Sequence, residues 1–229
     1  MFQRHINRGL DRAAALLETT TINGKRHYKV PFGDEWATYP SITTVLSANP
    51  DKIAGLAKWR RRVGNKEASR IAGTAARRGT SLHNIIERYI ENDPDFLAGE
   101  MPDAIAMFNR VKPILSKNLN NIIAQEAALF SHRLKIAGRV DCIAEWDGIL
   151  SICDWKNSNK PKRLEWIDDY FQQACGYAAM YYEMTGIAIK QAVILVSVQD
   201  SEPQLFVAKT GDWLEPLYES ITQFNKANA

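Results

Sequence analysis

The sequence predicts an α/β protein in which a mainly helical first half precedes a mixed sheet flanked by helices. Three observations lead to this fold class. Apolar residues recur at helical spacing through the first 120 residues, whereas short apolar and β-branched runs dominate from residue 121. Those runs alternate with helical segments, as in sheets covered by helices. The 229 residues contain no low-complexity linker, so we expect one domain, with a helical part over 1–120 and an α/β core over 121–229.

The first half is expected to begin with a strand and to continue with helices. A strand over residues 25–30 should end at the turn Pro31–Asp34. Ser41 is a suitable cap for a short helix, and Gly64 and Gly79 are expected to interrupt the helical pattern that follows. The expected helices cover residues 41–46, 51–63, 67–78, 79–90 and 103–119, the last bent or broken near Pro113.

The second half is expected to contain strands over residues 121–130, 135–146, 149–156, 190–198 and 204–208. Asp147–Gly148 predicts a two-residue hairpin turn between the second and third of these strands. A helix over residues 164–184 should end at Gly186, and Asp212 should cap a last amphipathic helix.

Composition excludes several classes of protein. With 45% hydrophobic and 24% charged residues, the chain is neither disordered nor collagen-like. The longest aliphatic run, Ala192–Val196, is too short to cross a bilayer, and no secretory signal is recognised. Three cysteines give no disulfide framework and suit a reducing compartment. We therefore expect a cytoplasmic protein that does not bind membranes.

Basic residues are concentrated between residues 58 and 78. This stretch contains eight Lys or Arg and only one acid, Glu67, although the whole chain has a net charge of only +3. Such a concentration is typical of a surface that contacts a phosphate backbone. The alternative is a solvated helical face, and only part of the cluster could face one strand. The basic residues are Lys58, Arg60, Arg61, Arg62, Lys66, Arg70, Arg77 and Arg78.

Two acids and a lysine are expected on one face of the predicted hairpin. Asp141 lies six residues before Asp147, and Asp154 lies six residues after Gly148, so the two carboxylates should be opposite each other. Cross-strand Cβ atoms are about 4.5–5.5 Å apart, close enough for both acids to bind one divalent cation. Lys156 shares their face by strand alternation. Taken alone, Asp154 and Lys156 could instead form an internal salt bridge.

Four short segments stand out by their order and spacing: Gly79-Thr-Ser-Leu-His83, Gly138-Arg-Val-Asp141, Asp154-Trp-Lys156 and Gln173-Ala-Cys-Gly-Tyr177. In these segments the chain resembles the RecB-like exonuclease branch of the PD-(D/E)XK nuclease superfamily, which includes mitochondrial and phage enzymes. The proline of the superfamily name is replaced by Val140, at a position that is loose in this branch.

The resemblance implies a restriction-endonuclease-like core with a metal site. His83, Asp141 and Asp154 would hold Mg²⁺ or Mn²⁺, and the carbonyl of Trp155 would complete the protein ligands. Lys156 would position or deprotonate the attacking water. Outside this context, a lone helical histidine is more often packed or solvated than bound to metal.

Two further acids are connected with this site. Glu126 occupies the place of an additional family acid with a less settled role. Glu87, one helical turn after His83, would either orient the imidazole or lie exposed. Some members of the branch hold an iron–sulfur cluster with four cysteines. Here only Cys142, Cys153 and Cys175 are present, without matching spacing, so no iron–sulfur cluster is expected.

The resemblance also implies residues that contact the substrate. Gln173 and Tyr177 are four residues apart and share a helix face beside the site, although Tyr177 alone would be interpreted as a core residue. Basic residues near the site are expected to face DNA. They are Lys160, Lys162 and Arg163 in the loop after the active strand, and Arg77 and Arg78 on the helix.

The function implied is a metal-dependent DNA exonuclease that acts on single-stranded ends in recombination, repair or replication. A single-strand-binding protein or a recombinase would be a suitable partner for such an enzyme. The same fold also hosts endonucleases, so fold does not decide the substrate. The sequence is also compatible with a catalytically silent DNA-binding protein, or with a phosphohydrolase that acts on a small nucleotide.

Overall fold

A computed structural model describes residues 1–5, 10 and 17–228 of the chain. The strands are β1 (Glu18–Ile22), β2 (Lys25–Phe32), β3 (Glu35–Pro40), β4 (Leu119–Ser131), β5 (Ile136–Trp146), β6 (Ile149–Ser158), β7 (Gln191–Val198) and β8 (Gln204–Lys209). The helices are α1 (Ile42–Ser47), α2 (Pro50–Val63), α3 (Asn65–Ile90), α4 (Pro102–Asn118), α5 (Asp168–Thr185) and α6 (Leu214–Asn228). Short 3₁₀ turns precede α5 and α6, at Leu164–Trp166 and Thr210–Trp213.

The main sheet has five strands in the order β4-β5-β6-β7-β8. Strands β6 and β7 are parallel and are connected through α5, while the other neighbours are antiparallel. Strand β7 is buried on both faces: Ile194 packs in the cluster with α5 and α6, and Val193 packs in the cluster with α3 and α4. The predicted mixed sheet flanked by helices is therefore confirmed.

A second sheet, of order β1-β2-β3, makes the extended part of the first half longer than predicted. Strand β2 continues through Pro31 and Phe32, and the turn lies at Gly33–Asp34. Tyr28 and Val30 on β2 and Tyr39 on β3 are buried against β4 and β5. Neither β1 nor β3 was predicted. The sequence of β1, ETTTI, has little apolar surface of its own.

Helix α3 is one continuous helix of 26 residues, and the predicted break at Gly79 is wrong. A Cβ atom at Gly79 would lie 2.5 Å from Nδ2 of Asn157, so the glycine allows α3 to approach β6 closely. The apolar residues of α2 also differ from expectation. No residue of α2 is buried, and Ile53 and Leu56 are about half exposed, at 55% and 52%.

The other predicted helices are present, with small shifts at their ends. Helix α4 is not broken at Pro113, and Asp212 lies in the 3₁₀ turn before α6 and not at the cap of that helix. Ser41 caps α1 by accepting a hydrogen bond from the Thr44 amide. Asn49, not Asp51, caps α2. Helix α5 begins at Asp168 and ends at Gly186, which has a positive φ of 75°. Within the described residues, no helix has the length and apolar character needed to span a membrane.

Candidate active site

The predicted motifs meet at an open cleft of about 460 Å³ between α3, the β5–β6 hairpin and α5. Helix α3 supplies His83, the hairpin supplies Asp141 and Lys156, and α5 supplies Gln173 and Tyr177. Four segments that are distant in sequence therefore line one space. The other lining residues are Arg26, Thr43, Ala76, Gly79, Thr80, Asn84, Glu87, Glu126 and Arg139.

The hairpin has the predicted register, and its two strands separate at the two acids. The pairing runs from Trp146 and Ile149 to Cys142 and Cys153. Asp141 directly precedes Cys142 on β5, just beyond the paired part of the hairpin. Its Oδ2 accepts a hydrogen bond of 2.8 Å from the backbone N–H of Trp155. This contact fixes the Asp141 carboxylate at the point where the two strands diverge.

Asp154 is fully buried and lies beside Lys156. Its Oδ2 is 2.5 Å from Nζ of Lys156, and neither carboxylate oxygen has a well-aligned hydrogen bond to a described residue. Burial raises the pKa of Asp154, and Lys156 partly offsets this effect. Burial opposes the charge of Lys156, but the carboxylates of Asp154 and Asp141 outweigh it and raise the pKa of Lys156. The lysine is therefore held as an ammonium group.

Lys156 is connected to helix α5 by a chain of hydrogen bonds. Its Nζ donates to Oε1 of Gln173 at 3.1 Å, and Nε2 of Gln173 donates to the Tyr177 hydroxyl at 3.0 Å. Tyr177 is buried, in agreement with the core interpretation, but it also lines the cleft. The Lys156 ammonium also lies 5.1 Å from the centre of the Tyr170 ring. The chain fixes the position of the ammonium group relative to Asp154.

His83, Glu126 and Asp141 form a group that could hold a metal ion. Their ligand atoms all lie within 4.8 Å of one another, and Nδ1 of His83 is 3.7 Å from Oδ2 of Asp141. One imidazole and two carboxylates suit Mg²⁺ or Mn²⁺. Asp154 is outside this group, although its buried oxygens lack aligned partners. The structure therefore brings Glu126 into the place where the sequence suggested Asp154.

Glu126 adopts an unusual backbone conformation for this role. It lies on β4 between Gln125 and Ala127, which pair with Cys142 and Val140, so Glu126 faces the position of Asp141. Its φ is +47°, a conformation that is uncommon for residues other than glycine. Burial, followed by the charge of Asp141, raises the pKa of Glu126 to about 7. Burial likewise raises the pKa of Glu87, which also lines the cleft.

The five basic residues that were predicted to face DNA do not line the cleft. Arg77 is exposed on α3. Arg78 is only 2% exposed and is directed into the protein. The loop residues Lys160, Lys162 and Arg163 do not line the cleft, and the Arg163 guanidinium lies 5.1 Å from the ring centre of Trp166. Their contact with substrate stays a prediction.

Sequence reasoning missed two arginines that line the cleft. Arg139 is exposed, and its guanidinium donates to the backbone carbonyl of Glu126 at 3.0 Å. Arg26, on β2, donates to the Thr43 hydroxyl at 3.2 Å. Among the described residues, neither arginine has a carboxylate within 4 Å. Arg139 stands in the motif that ends at Asp141, whereas no signal in the sequence connects Arg26 with the site.

The chain is similar to curated exonucleases, and this similarity supports the predicted resemblance to a PD-(D/E)XK-like exonuclease family. Mitochondrial genome maintenance exonuclease 1 of Mus musculus is 25% identical over 173 residues, which are 72% of this chain and 51% of that protein. The proteins of the same name from Homo sapiens and Xenopus tropicalis are 24% and 23% identical, over 72% of this chain and 50% of each relative. The chain thus spans about half the length of these curated relatives.

Family models and solved structures give two further findings. No family model matches the chain. A crystal structure of an exonuclease candidate from Eubacterium rectale aligns with a TM-score of 0.45 and 10% sequence identity, covering 65% of this chain and 66% of that one.

Proposed function

We propose that this protein is a metal-dependent exonuclease that hydrolyses phosphodiester bonds at single-stranded DNA ends. The convergence of His83, Glu126 and Asp141 beside the Asp154–Lys156 pair, in one open cleft, carries the proposal. The exonuclease names of the curated relatives support the reaction class. Recombination, repair or replication of DNA would be the setting for this activity.

Mg²⁺ or Mn²⁺ would be held by His83, Glu126 and Asp141, with Asp154 and the Trp155 carbonyl next to them. The buried Asp154 carboxylate, whose oxygens lack aligned hydrogen bonds, fits a site that gains stability from a nearby cation. The ion would act as a Lewis acid that stabilises charge developing on the phosphate and makes water more acidic. Glu87 would orient His83 from the adjacent helical turn.

Lys156 would act as a fixed cation. Its raised pKa means that it remains protonated at neutral pH, so it would orient water and stabilise negative charge rather than accept a proton. Gln173 would hold the ammonium group in place and Tyr177 would hold Gln173. Preorganised charge of this kind does not have to reorient during the reaction.

Binding of the DNA strand would depend on cations outside the metal group. Arg26 and Arg139 line the cleft without carboxylate partners in the described residues, so both are suited to contact phosphates. Helix α2 would form one wall of the strand passage. It has no buried residue, and its Lys52 forms an ion pair with Asp169 at the start of α5. Arg77, Lys160, Lys162 and Arg163 would extend the basic track.

Digestion of end-labelled linear and covalently closed circular single-stranded DNA tests the proposal. We expect loss of the linear substrate alone with Mn²⁺ or Mg²⁺, and none with EDTA. Lys156→Ala should lower the rate about 10²–10⁴-fold, because a preorganised charge is removed. Lys226→Ala, an exposed residue on α6, should cleave at the wild-type rate. Cleavage of both substrates would indicate an endonuclease, and binding without cleavage would indicate a silent DNA-binding protein.

A further inference from the structure

Arg78 connects α3 to the ends of two strands of the main sheet. Its guanidinium donates to Oε1 of Gln199 at 2.6 Å and to Oδ1 of Asn157 at 3.1 Å, and it also bonds to Asn159. Asn157 and Asn159 lie at the end of β6, and Gln199 follows β7. The Arg78 side chain thus connects α3 to the C-terminal ends of β6 and β7.

The surroundings of Arg78 are unusual for a buried charge. Its three partners are neutral amides, and no carboxylate of the described residues lies within 4 Å of the guanidinium. A buried cation without an anion costs free energy that hydrogen bonds recover only partly. Arg78 is also inaccessible to a DNA strand, since only 2% of its surface is exposed. A contact with substrate therefore does not explain its position.

The partners of Arg78 are neighbours of the proposed catalytic groups. Asn157 directly follows Lys156, and Arg78 lies five residues before His83 on the same rigid helix. The adjacent Gly79 has no room for a Cβ atom, because Nδ2 of Asn157 would lie 2.5 Å away. Arg78 therefore bonds the helix that carries His83 to the strand that carries Lys156, next to the point where the two elements approach closely.

We propose that Arg78 is a positioning residue that holds His83 in register with the hairpin acids and Lys156, through its hydrogen bonds to Asn157, Asn159 and Gln199. This inference rests on the proposed function and replaces the prediction that Arg78 binds substrate. The planar guanidinium is essential to the role, because three acceptors in different directions require a fork of donors. A lysine would supply the charge but could not bridge the same acceptors.

The test compares Arg78→Met and Arg78→Lys with the wild-type protein and with Arg88→Met. Arg88 is a suitable control, because it also lies on α3 and donates to Asp93 and to the carbonyls of Ala98 and Asp95, away from the cleft. The measurements are Mn²⁺ affinity by calorimetry without DNA, kcat and KM on a linear single strand, the melting temperature, and the salt dependence of DNA binding.

We expect Arg78→Met to lower Mn²⁺ affinity and kcat about 10–100-fold each, the range for residues that orient metal ligands. Arg78→Lys should give an intermediate loss. Arg88→Met should lower the melting temperature but leave Mn²⁺ affinity and kcat unchanged. The salt dependence of DNA binding should be the same in all Arg78 variants, because no phosphate contact is removed.

Other outcomes would overturn the proposal. Wild-type Mn²⁺ affinity and kcat in Arg78→Met would make Arg78 only a structural anchor, and a smaller salt slope, reduced by about 0.7, would make it a phosphate contact. If Arg78→Met does not fold, Gln199→Ala and Asn159→Ala each remove one acceptor, and unchanged Mn²⁺ affinity in both would reject the role. A wild-type protein that binds Mn²⁺ without cutting DNA would reject the nuclease function, while the Mn²⁺ affinities would still decide the role of Arg78.

Discussion

Glu126 is placed in the candidate metal site at a cost to the stability of the folded protein. It holds a carboxylate next to Asp141 and His83, and its backbone has a φ of +47°. The two neighbouring carboxylates repel each other unless a cation lies between them. The backbone conformation is in addition strained for a residue with a Cβ atom. Such residues persist where the surrounding structure fixes them, as the antiparallel pairing on either side of Glu126 does.

Glu126→Gln should therefore make the metal-free protein more stable at alkaline pH. The folded-state pKa of Glu126 is about 7, above its usual 4.5. The contribution of this carboxyl group to the free energy of unfolding is therefore present below pH 4.5, decreases as pH rises from about 4.5 to 7, and is absent above pH 7. Solvent screening of this partly buried group limits the effect to about 1–2 kcal/mol. Urea denaturation in EDTA at pH 5 and pH 8 should show the gain only at pH 8.

The same substitution should weaken Mn²⁺ binding by at least about tenfold, because one carboxylate ligand is lost. In the wild-type protein, protons compete with the metal, so Mn²⁺ affinity should rise as pH increases from about 6 to 7.5. Glu145→Gln is the control, since Glu145 is a half-buried acid on β5 that accepts a hydrogen bond from Asn121 outside the cleft. A Glu126→Gln variant with unchanged Mn²⁺ affinity at every pH would remove Glu126 from the metal site.

At the scale of elements, close contact between α5 and the hairpin determines the position of the lysine. A Cβ atom on Gly138 of β5 would lie 2.8 Å from Cε1 of Tyr177 and 3.1 Å from Cγ2 of Ile42. The absence of a side chain at Gly138 thus allows Tyr177 to reach Gln173, which in turn accepts from Lys156. Gly138 thus influences the position of Lys156 through packing against Tyr177 on α5.

Gly138→Ala should destabilise the protein by about 1–3 kcal/mol, the usual cost of overpacking a dense core. It should also lower kcat, because displacement of Tyr177 releases Gln173 from Lys156. Thermal melting and single-strand digestion measure the two effects. Gly55→Ala is the matched control: its Cβ would have no neighbour within 4 Å, and alanine favours the α2 helix. A normal melting temperature and kcat for Gly138→Ala would show that Tyr177 adjusts without effect on the site.

Local signals explain which elements could be predicted. The Asp147–Gly148 turn fixed the hairpin register by counting, so the adjacent positions of Asp141 and Asp154 followed from sequence. Strands β1 and β3 could not be found this way, because their pairing depends on contacts with β2 and on burial against β4 and β5. Gly79 suggested a helix end, whereas its actual requirement is space for Asn157 on β6. That requirement exists only in the folded protein.

In the candidate site as well, local motifs could be predicted and long-range arrangement could not. His83, Asp141, Asp154 and Lys156 could be selected because they stand in short motifs of a known family. Their arrangement could not, since it depends on how α3 and β4 are placed against the hairpin. Arg26 illustrates the limit: its strand was predicted, but the sheet that holds this strand was not. Arg26 is more than 100 residues from Asp141 in sequence and still lines the same cleft.

For the whole molecule, the distribution of charge is more informative than the net charge of +3. Within the basic stretch, Arg70 is neutralised by Glu67 at 2.7 Å and Arg78 is buried. The exposed cations that remain include Arg61, Arg62 and Lys66, near the junction of α2 and α3. These cations lie on α2 and on α3, the helix that also carries His83, so we expect a bound strand to contact them.

Replacement of Arg61, Arg62 and Lys66 by alanine should therefore weaken DNA binding without changing the cleft. Each lost phosphate contact on a single strand reduces the salt slope by about 0.7, so the triple variant should lose up to about 2. The KM for DNA should rise while kcat at saturation stays near the wild-type value, because the removed charges act on binding and not on the reacting phosphate. Binding titrations at several salt concentrations measure the slope directly.

The control combines Lys209→Ala with Lys226→Ala. This double variant removes exposed cations from β8 and α6 and should leave the salt slope unchanged. A triple variant with the same salt slope as the wild-type protein would contradict this prediction. The strand would then be expected to contact the loop that holds Lys160, Lys162 and Arg163, and alanine substitutions in that loop should reduce the salt slope.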